Sequence, residues 1–174
     1  MTPQDLRRAF GLFATGVTVV TAVSPQGEPV GITANSLTSV SLDPPLLLWC
    51  LANRSTSIPA FFPGAAFAVH VLAGHQAEVA LHFARTGGSK FEVDASWRAR
   101  PTPPEIAGAV ACFACRVDSV FPGGDHQIIV GRVDGVATRE LPPLVFQGGR
   151  FGRFEPQVGS GMIDVWGEPY DAWM

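Results

Sequence analysis

Charge is scarce in this chain. Only 16% of its 174 residues are Asp, Glu, Lys or Arg, with a net charge of −3 and an isoelectric point near 5.7. No basic patch stands out, so neither nucleic acid nor an anionic membrane is an expected partner. Long hydrophobic runs are missing too: the apolar stretches fall far short of the ~20 residues of a membrane span. "MTPQDLRRAFGLF" at the start has no long apolar core of a secretory signal, and a cytoplasmic location is the expectation. There are three cysteines, and no second pair joins Cys112 and Cys115 to complete a zinc site. Their setting, "AVACFACRVDSV", reads as a strand, where a spacing of three puts the two side chains on opposite faces. Ordinary buried thiols are expected there, and no metal site. No G-x-G-x-x-G follows a strand, and there is no P-loop and no G-x-S-x-G elbow. His70, His75, His82 and His126 form no H-x-x-x-H pair on a clear helix. Internal repeats and low-complexity segments are absent.

What is there is a hydrophobic chain: 47% apolar, with a mean hydropathy of +0.22. That suits one packed domain and excludes disorder. It also suggests apolar surface covered by an oligomer or a ligand. Thr2 as cap, Pro3 and Asp5 open a helix whose Leu6, Phe10 and Phe13 form an apolar face. "VTVVTAVS" is a strand, "PQGEP" a turn, and a short strand beyond it makes a hairpin. "PLLLWCLA" reads as a strand buried on both faces, and "AAFAVHVLA" as another strand. "HQAEVALHFAR" reads as a helix, with His75 at its start, His82 inside it, and Val79, Leu81 and Phe83 near helical spacing. The Gly- and Pro-punctuated stretch from Thr86 to Ala109 reads as loop. Two strands joined by "PGGDH" follow, then a last strand, "PLVFQGGRF". Six or seven strands with few helices do not alternate as βαβ, which favours an antiparallel barrel with helices packed outside.

"VGITANSLTSVSLDPP", residues 30–45, holds a run of small hydrogen-bonding side chains and a single charge, Asp43. Such groups, with exposed backbone N–H, suit a large flat heterocycle carrying carbonyls and ring nitrogens better than a metal or an ionic substrate. The bland alternative is a Ser/Thr-rich edge strand. "NRSTS", Asn53 to Ser57, supplies donors for a phosphate, or a helix cap, or both. Asp125-His126 follows a Gly pair where a turn enters a strand, at a barrel rim where ligands enter; otherwise the two are turn residues. His70, alternating with apolar neighbours, reads as a packing residue.

"FATGVTVVTA", then "GITANSLTSVSLDPPLLLWCLANRSTS", then "GDHQIIVGRV" resemble, in order and spacing, the flavin reductase family. These are the small flavin:NAD(P)H reductases that supply reduced flavin to two-component monooxygenases. The match runs from about Leu6 to Phe151. It implies a mainly β protein: an antiparallel split barrel, 1–154, with a few flanking helices and a tail, 155–174. It implies FMN or FAD as cofactor, NADH or NADPH as co-substrate, and a homodimer that serves a monooxygenase. By this resemblance Thr33, Ala34, Asn35 and Ser36 contact the flavin ring, with Ser39 from the second hydroxyl cluster beside them. Asn53, Arg54 and Ser57 serve the ribityl and phosphate side, and Arg85, Lys90 and Phe91 a further phosphate or adenine segment. His126 lies beside the nicotinamide. The sequence departs from the family at Leu37, where Phe is common. It departs again at Gly148-Gly149-Arg150-Phe151, where Gly-Gly-x-Tyr is common. Two other readings keep the flavin: a tightly bound FMN used for electron transfer or as an oxidase, and a binding module without catalysis.

Overall fold

The computed structural model describes residues 1–87, 90–91 and 103–156. The C-terminal tail, apart from 155–156, and part of the 86–109 loop lie outside the described residues. In chain order the elements are α1 (Pro3–Phe10), β1 (Thr15–Gly16), β2 (Thr18–Val23), β3 (Pro29–Ala34), β4 (Thr38–Leu42) and β5 (Pro45–Ala52). A short 3-10 turn (Ile58–Ala60) follows, then β6 (Ala66–Val71), α2 (Ala77–Ala84), β7 (Ala111–Gly123), β8 (His126–Thr138), β9 (Leu144–Gln147) and β10 (Arg150–Arg153).

Seven strands form one sheet in the order β3-β2-β6-β7-β8-β5-β4, and β1-β9-β10 form a small second sheet. Every named pairing is antiparallel. The two edges of the large sheet, β3 and β4, are separated in sequence by residues 35–37 alone. Three residues bridge at most ~14 Å, so the sheet must roll until its edges nearly meet. The result is a barrel left open along one seam. Ser36 laces that seam: the Cys50 N–H donates to its Oγ at 2.9 Å. The seam is where the uncharged polar stretch falls.

The core lies inside the roll. Trp49, Phe61 and Phe67 meet at its centre, Trp49 and Phe61 edge-on with ring centroids 4.9 Å apart. On β5, Leu47, Trp49 and Leu51 are buried, while Leu46, Leu48, Cys50 and Ala52 are partly exposed. The expectation of burial on both faces is thus corrected. Among the described residues the other face is only partly covered, and β5 alternates in burial as antiparallel strands with one core-facing side do. Leu37 packs against this core, and a second cluster, Val17, Val19, Leu72, Ala80, Phe83 and Leu144, lies under α2.

α1 forms with its full capping box, Thr2 and Asp5 bonding reciprocally. None of its residues is buried, however, and Phe10 and Phe13 are 72% and 75% exposed. α2 buries Ala80 and Phe83 but leaves Leu81 out. The expected last strand is a hairpin, β9 and β10. Gly148 and Gly149 take φ of +58° and +80°, a left-handed pair that turns the chain back. Phe151, where a Tyr is common, packs its ring on Phe146 at 5.5 Å. Cys115 sits in the core and Cys112 is half-buried, both as free thiols. His70 is buried, its Nδ1 3.1 Å from the Val19 carbonyl. Among the described residues no helix is long and apolar enough to cross a membrane, and no group of potential ligands could hold a metal ion.

Candidate functional site

A cleft of about 720 Å³ opens along the seam. One wall is the outer edge of β3, from Pro29 through Ala34 and on to Asn35 and Ser36. Among the described residues β3 pairs with β2 alone, and its other edge carries backbone groups, of which the Gly31 carbonyl is taken by Lys90. The floor is the end of β5 (Cys50 to Ala52) with Arg54 to Ser57 beyond it. The far wall is the end of α2 and the turn after it: Phe83 to Gly87, then Lys90 and Phe91. His126, at the start of β8, lines the cleft as well.

Of the residues singled out from the sequence, Thr33, Ala34, Asn35, Ser36, Arg54, Ser57, Arg85, Lys90, Phe91 and His126 line this one cleft. They come from five separate segments, and the rolled sheet brings them together. Ser39 and Asn53 do not line it. Ser39 lies exposed on β4, paired with Leu47. Asn53 turns to the β7–β8 hairpin, its Nδ2 donating to the Gly124 carbonyl at 3.0 Å and its backbone N–H to the Asp125 carbonyl at 2.9 Å.

Several polar groups already have protein partners. The Thr33 hydroxyl donates to the Ala80 carbonyl at 2.6 Å, tying β3 to α2. The Lys90 ammonium donates to the Gly31 carbonyl at 2.9 Å and the Phe83 carbonyl at 2.7 Å. It closes the last turn of α2, where a cation also meets the negative end of the helix dipole. Partial burial lowers its pKa. Lys90 therefore braces the far wall in this structure, and among the described residues Arg54 and Arg85 are the exposed cations of the cleft. His126 Nδ1 lies 2.7 Å from Asp125 Oδ1. That hydrogen bond, then the imidazole's charge, holds the Asp125 carboxyl below its usual range.

Phe83, Cys50 and Glu28 also line the cleft without having been singled out. Two carried a readable signal. Cys50 alternates with buried Trp49 on β5, so the period of two puts it on the opposite face. Phe83 ends the apolar face of α2. Glu28 is a turn residue, and nothing local points to it.

The donor set fits a flavin. The volume lies in the ~300–1,000 Å³ range of small-molecule sites. An uncharged polar edge faces two aromatic rings, Phe83 and Phe91, whose centroids are 5.2 Å apart. Two guanidinium groups, Arg54 and Arg85, line the same cleft, and such groups pair with phosphate.

Comparison with known proteins agrees. Residues 10–155 match the flavin reductase like domain. The chain is 46% identical over 155 residues to the FMN reductase (NADH) SmoA of Agrobacterium fabrum, covering 88% of this chain and 87% of that one. It is 38% identical over 157 residues to the reductase component of a flavin-dependent trigonelline monooxygenase of Acinetobacter baylyi, covering 90% of this chain and 50% of that one. The solved NADH:FAD oxidoreductase SgcE6 of Streptomyces globisporus, in complex with NAD and FAD fragments, superposes with a TM-score of 0.76 at 40% identity. That match covers 91% of this chain and 98% of that one. A seam cleft with an uncharged polar edge, in a chain matched over nearly its whole described length, has one consistent reading: this protein belongs to the family of flavin reductase like domains.

Proposed function

We propose that the protein is a flavin reductase that takes hydride from NADH, reduces FMN or FAD, and supplies the reduced flavin to a partner monooxygenase. The observation that carries this reading is the seam cleft. A strand edge of uncharged residues, two aromatic rings and the guanidinium groups of Arg54 and Arg85 line it, in a chain similar to an NADH-dependent FMN reductase.

When bound, the flavin supplies a two-electron acceptor for the hydride that NADH loses on becoming NAD⁺. The protein's share of the work is positioning. Backbone groups along 33–36 orient the ring system and offer fixed dipoles where negative charge develops. Arg54 and Arg85 hold phosphate, with the Ser57 hydroxyl beside them. Phe83, Phe91 and Val30 keep water from that wall. His126, which also lines the cleft, meets the nicotinamide nucleotide. Free exchange of flavin separates this role from a tightly held FMN.

A homodimer is part of the proposal. Phe10 of α1 and Phe13 just beyond it, Val40 (44%) and Leu42 (65%) of β4, and Phe121 (52%) of β7 leave large apolar side chains exposed. A second copy of the chain covers such surface. Light scattering should give twice the chain mass of 18.4 kDa; an active monomer overturns this part.

The test of function is direct. Purified protein is titrated with FMN and FAD, and NADH oxidation is followed with each flavin. Flavin fluorescence should be quenched, and NADH should be consumed only when flavin is added. No binding of either flavin at tens of micromolar, roughly 6 kcal/mol of affinity, overturns the reading.

A further inference from the structure

The hairpin that carries His126 is held in a way that family resemblance does not explain. Gly123 pairs with His126 across a two-residue loop, Gly124-Asp125. Gly124 has φ +69° and Asp125 does not enter the left-handed region, the pattern of a type II′ turn. The tip of a long hairpin is exposed and free to sway unless something ties it. Here one residue binds both carbonyls of the turn: Asn53 donates its backbone N–H to Asp125 and its side-chain Nδ2 to Gly124. The side-chain bond joins positions 71 apart in sequence. Beside it Ala52 pairs with His126 in the sheet.

The second half of the arrangement is the Asp125–His126 contact of 2.7 Å. An ionised carboxylate can only accept, so the ring proton that meets it sits on Nδ1. Nε2 has no protein partner among the described residues and is left for the cleft that His126 lines. The geometry points to Asn53 and Asp125 as positioning residues: Asn53 fixes the turn, and Asp125 fixes the tautomer and direction of His126 toward the nicotinamide nucleotide. This rests on the proposed function. It moves Asn53 from the flavin phosphate side, where resemblance puts it, to the nicotinamide side.

The full-length protein and its Asn53→Ala and Asp125→Ala variants test this through three readouts. FMN Kd is measured by fluorescence quenching, and KM for NADH and kcat at saturating FMN. Ring ¹⁵N shifts are read on histidine-labelled protein, with the His126 signals identified by their loss in His126→Gln. The loss of one hydrogen bond should raise KM for NADH about three- to tenfold in each variant, with FMN Kd within about twofold of the parent. The parent spectrum should show the Nδ1–H form of His126, weakened in both variants. If FMN Kd and KM rise together in Asn53→Ala, Asn53 is a flavin ligand and the proposal falls. It falls as well if KM is unchanged in both variants, or if the parent carries its proton on Nε2. If the parent itself does not oxidise NADH with flavin, the functional reading fails; the ring spectra then still decide whether the brace exists.

Discussion

Replacing Gly31 with alanine probes how closely the cleft wall is built. A Cβ at this position would stand 2.5 Å from both Cδ1 and Cε1 of Phe83, and 3.1 Å from Cζ of Phe91. Non-bonded carbons settle at ~3.5–4.0 Å, so one ring must move by about an ångström. Phe83 is not a loose side chain. It is 6% exposed and packed with Val17, Val19, Leu72 and Ala80. His82 and Phe91 stand against its ring with centroids 5.1 and 5.2 Å away. Overpacking of this kind costs ~1–3 kcal/mol. Against it stands the entropy an alanine saves in a strand, ~0.5–1 kcal/mol. Gly16→Ala isolates that second effect, because nothing among the described residues lies within 4 Å of a Cβ at Gly16. Gly31→Ala should therefore melt ~2–12 °C below Gly16→Ala, at ~2–4 °C per kcal/mol for a chain of this size. Gly31, Phe83 and Phe91 all line the cleft, so FMN affinity should fall in Gly31→Ala and hold in Gly16→Ala. Adding Phe83→Leu to Gly31→Ala should recover part of the melting temperature through coupling of neighbours. Equal melting of the two alanine variants, with equal FMN affinity, refutes the claim that the wall is closely packed at Gly31.

Three further outcomes are expected. His126→Ala should raise KM for NADH or slow single-turnover hydride transfer by ~1–3 kcal/mol, with FMN affinity kept; parental values for both remove His126 from the nicotinamide site. Cys50 lines the cleft, so FMN should slow its alkylation by iodoacetamide, while buried Cys115, its thiol pushed up to about 12 by burial, stays unlabelled until the protein unfolds; peptide mass spectrometry reads both, and FMN-independent labelling of Cys50 counts against the cleft as the flavin site. Burial lowers the pKa of His70 from 6.5, so the unfolded chain binds the extra proton first and stability falls as pH drops below 6.5, by no more than ~1.4 kcal/mol per pH unit; denaturant titrations should show that slope flattened in His70→Gln, and an identical slope in both proteins contradicts it.

Much of the local structure could be read directly from the chain, because its causes are local. Thr2, Pro3 and Asp5 cap α1 through groups three residues apart. The β-branched run 17–23 and the turn ending at Gly27 make the β2–β3 hairpin, and Pro122-Gly123-Gly124 marks the turn before β8. The polar stretch 33–36, the 53–57 cluster and His126 were legible as chemistry, since small uncharged donors in such density need a ligand or an edge. The Gly148-Gly149 turn was also written locally, and its left-handed pair is what splits the expected last strand into β9 and β10.

What the tertiary structure decided is of another kind. Periodicity places a side chain on a face but does not say whether that face is covered, which is why β5 alternates in burial and why Phe10, at the end of α1, and Phe13, beyond it, stand exposed. Spacing does not say which polar groups are already engaged. Thr33 is held by Ala80, Lys90 by Gly31 and Phe83, and Asn53 by the turn at Gly124-Asp125, through bonds spanning 47, 59, 7 and 71 positions. The sequence alone determined most of the longer strands, the cap of α1 and the stock of donors, because propensity and turn chemistry act over a few residues. Only the closing of seven strands into a split barrel decided which donors meet, because that depends on the strand order β3-β2-β6-β7-β8-β5-β4, and strand order is set by the burial of the whole core rather than by any one segment.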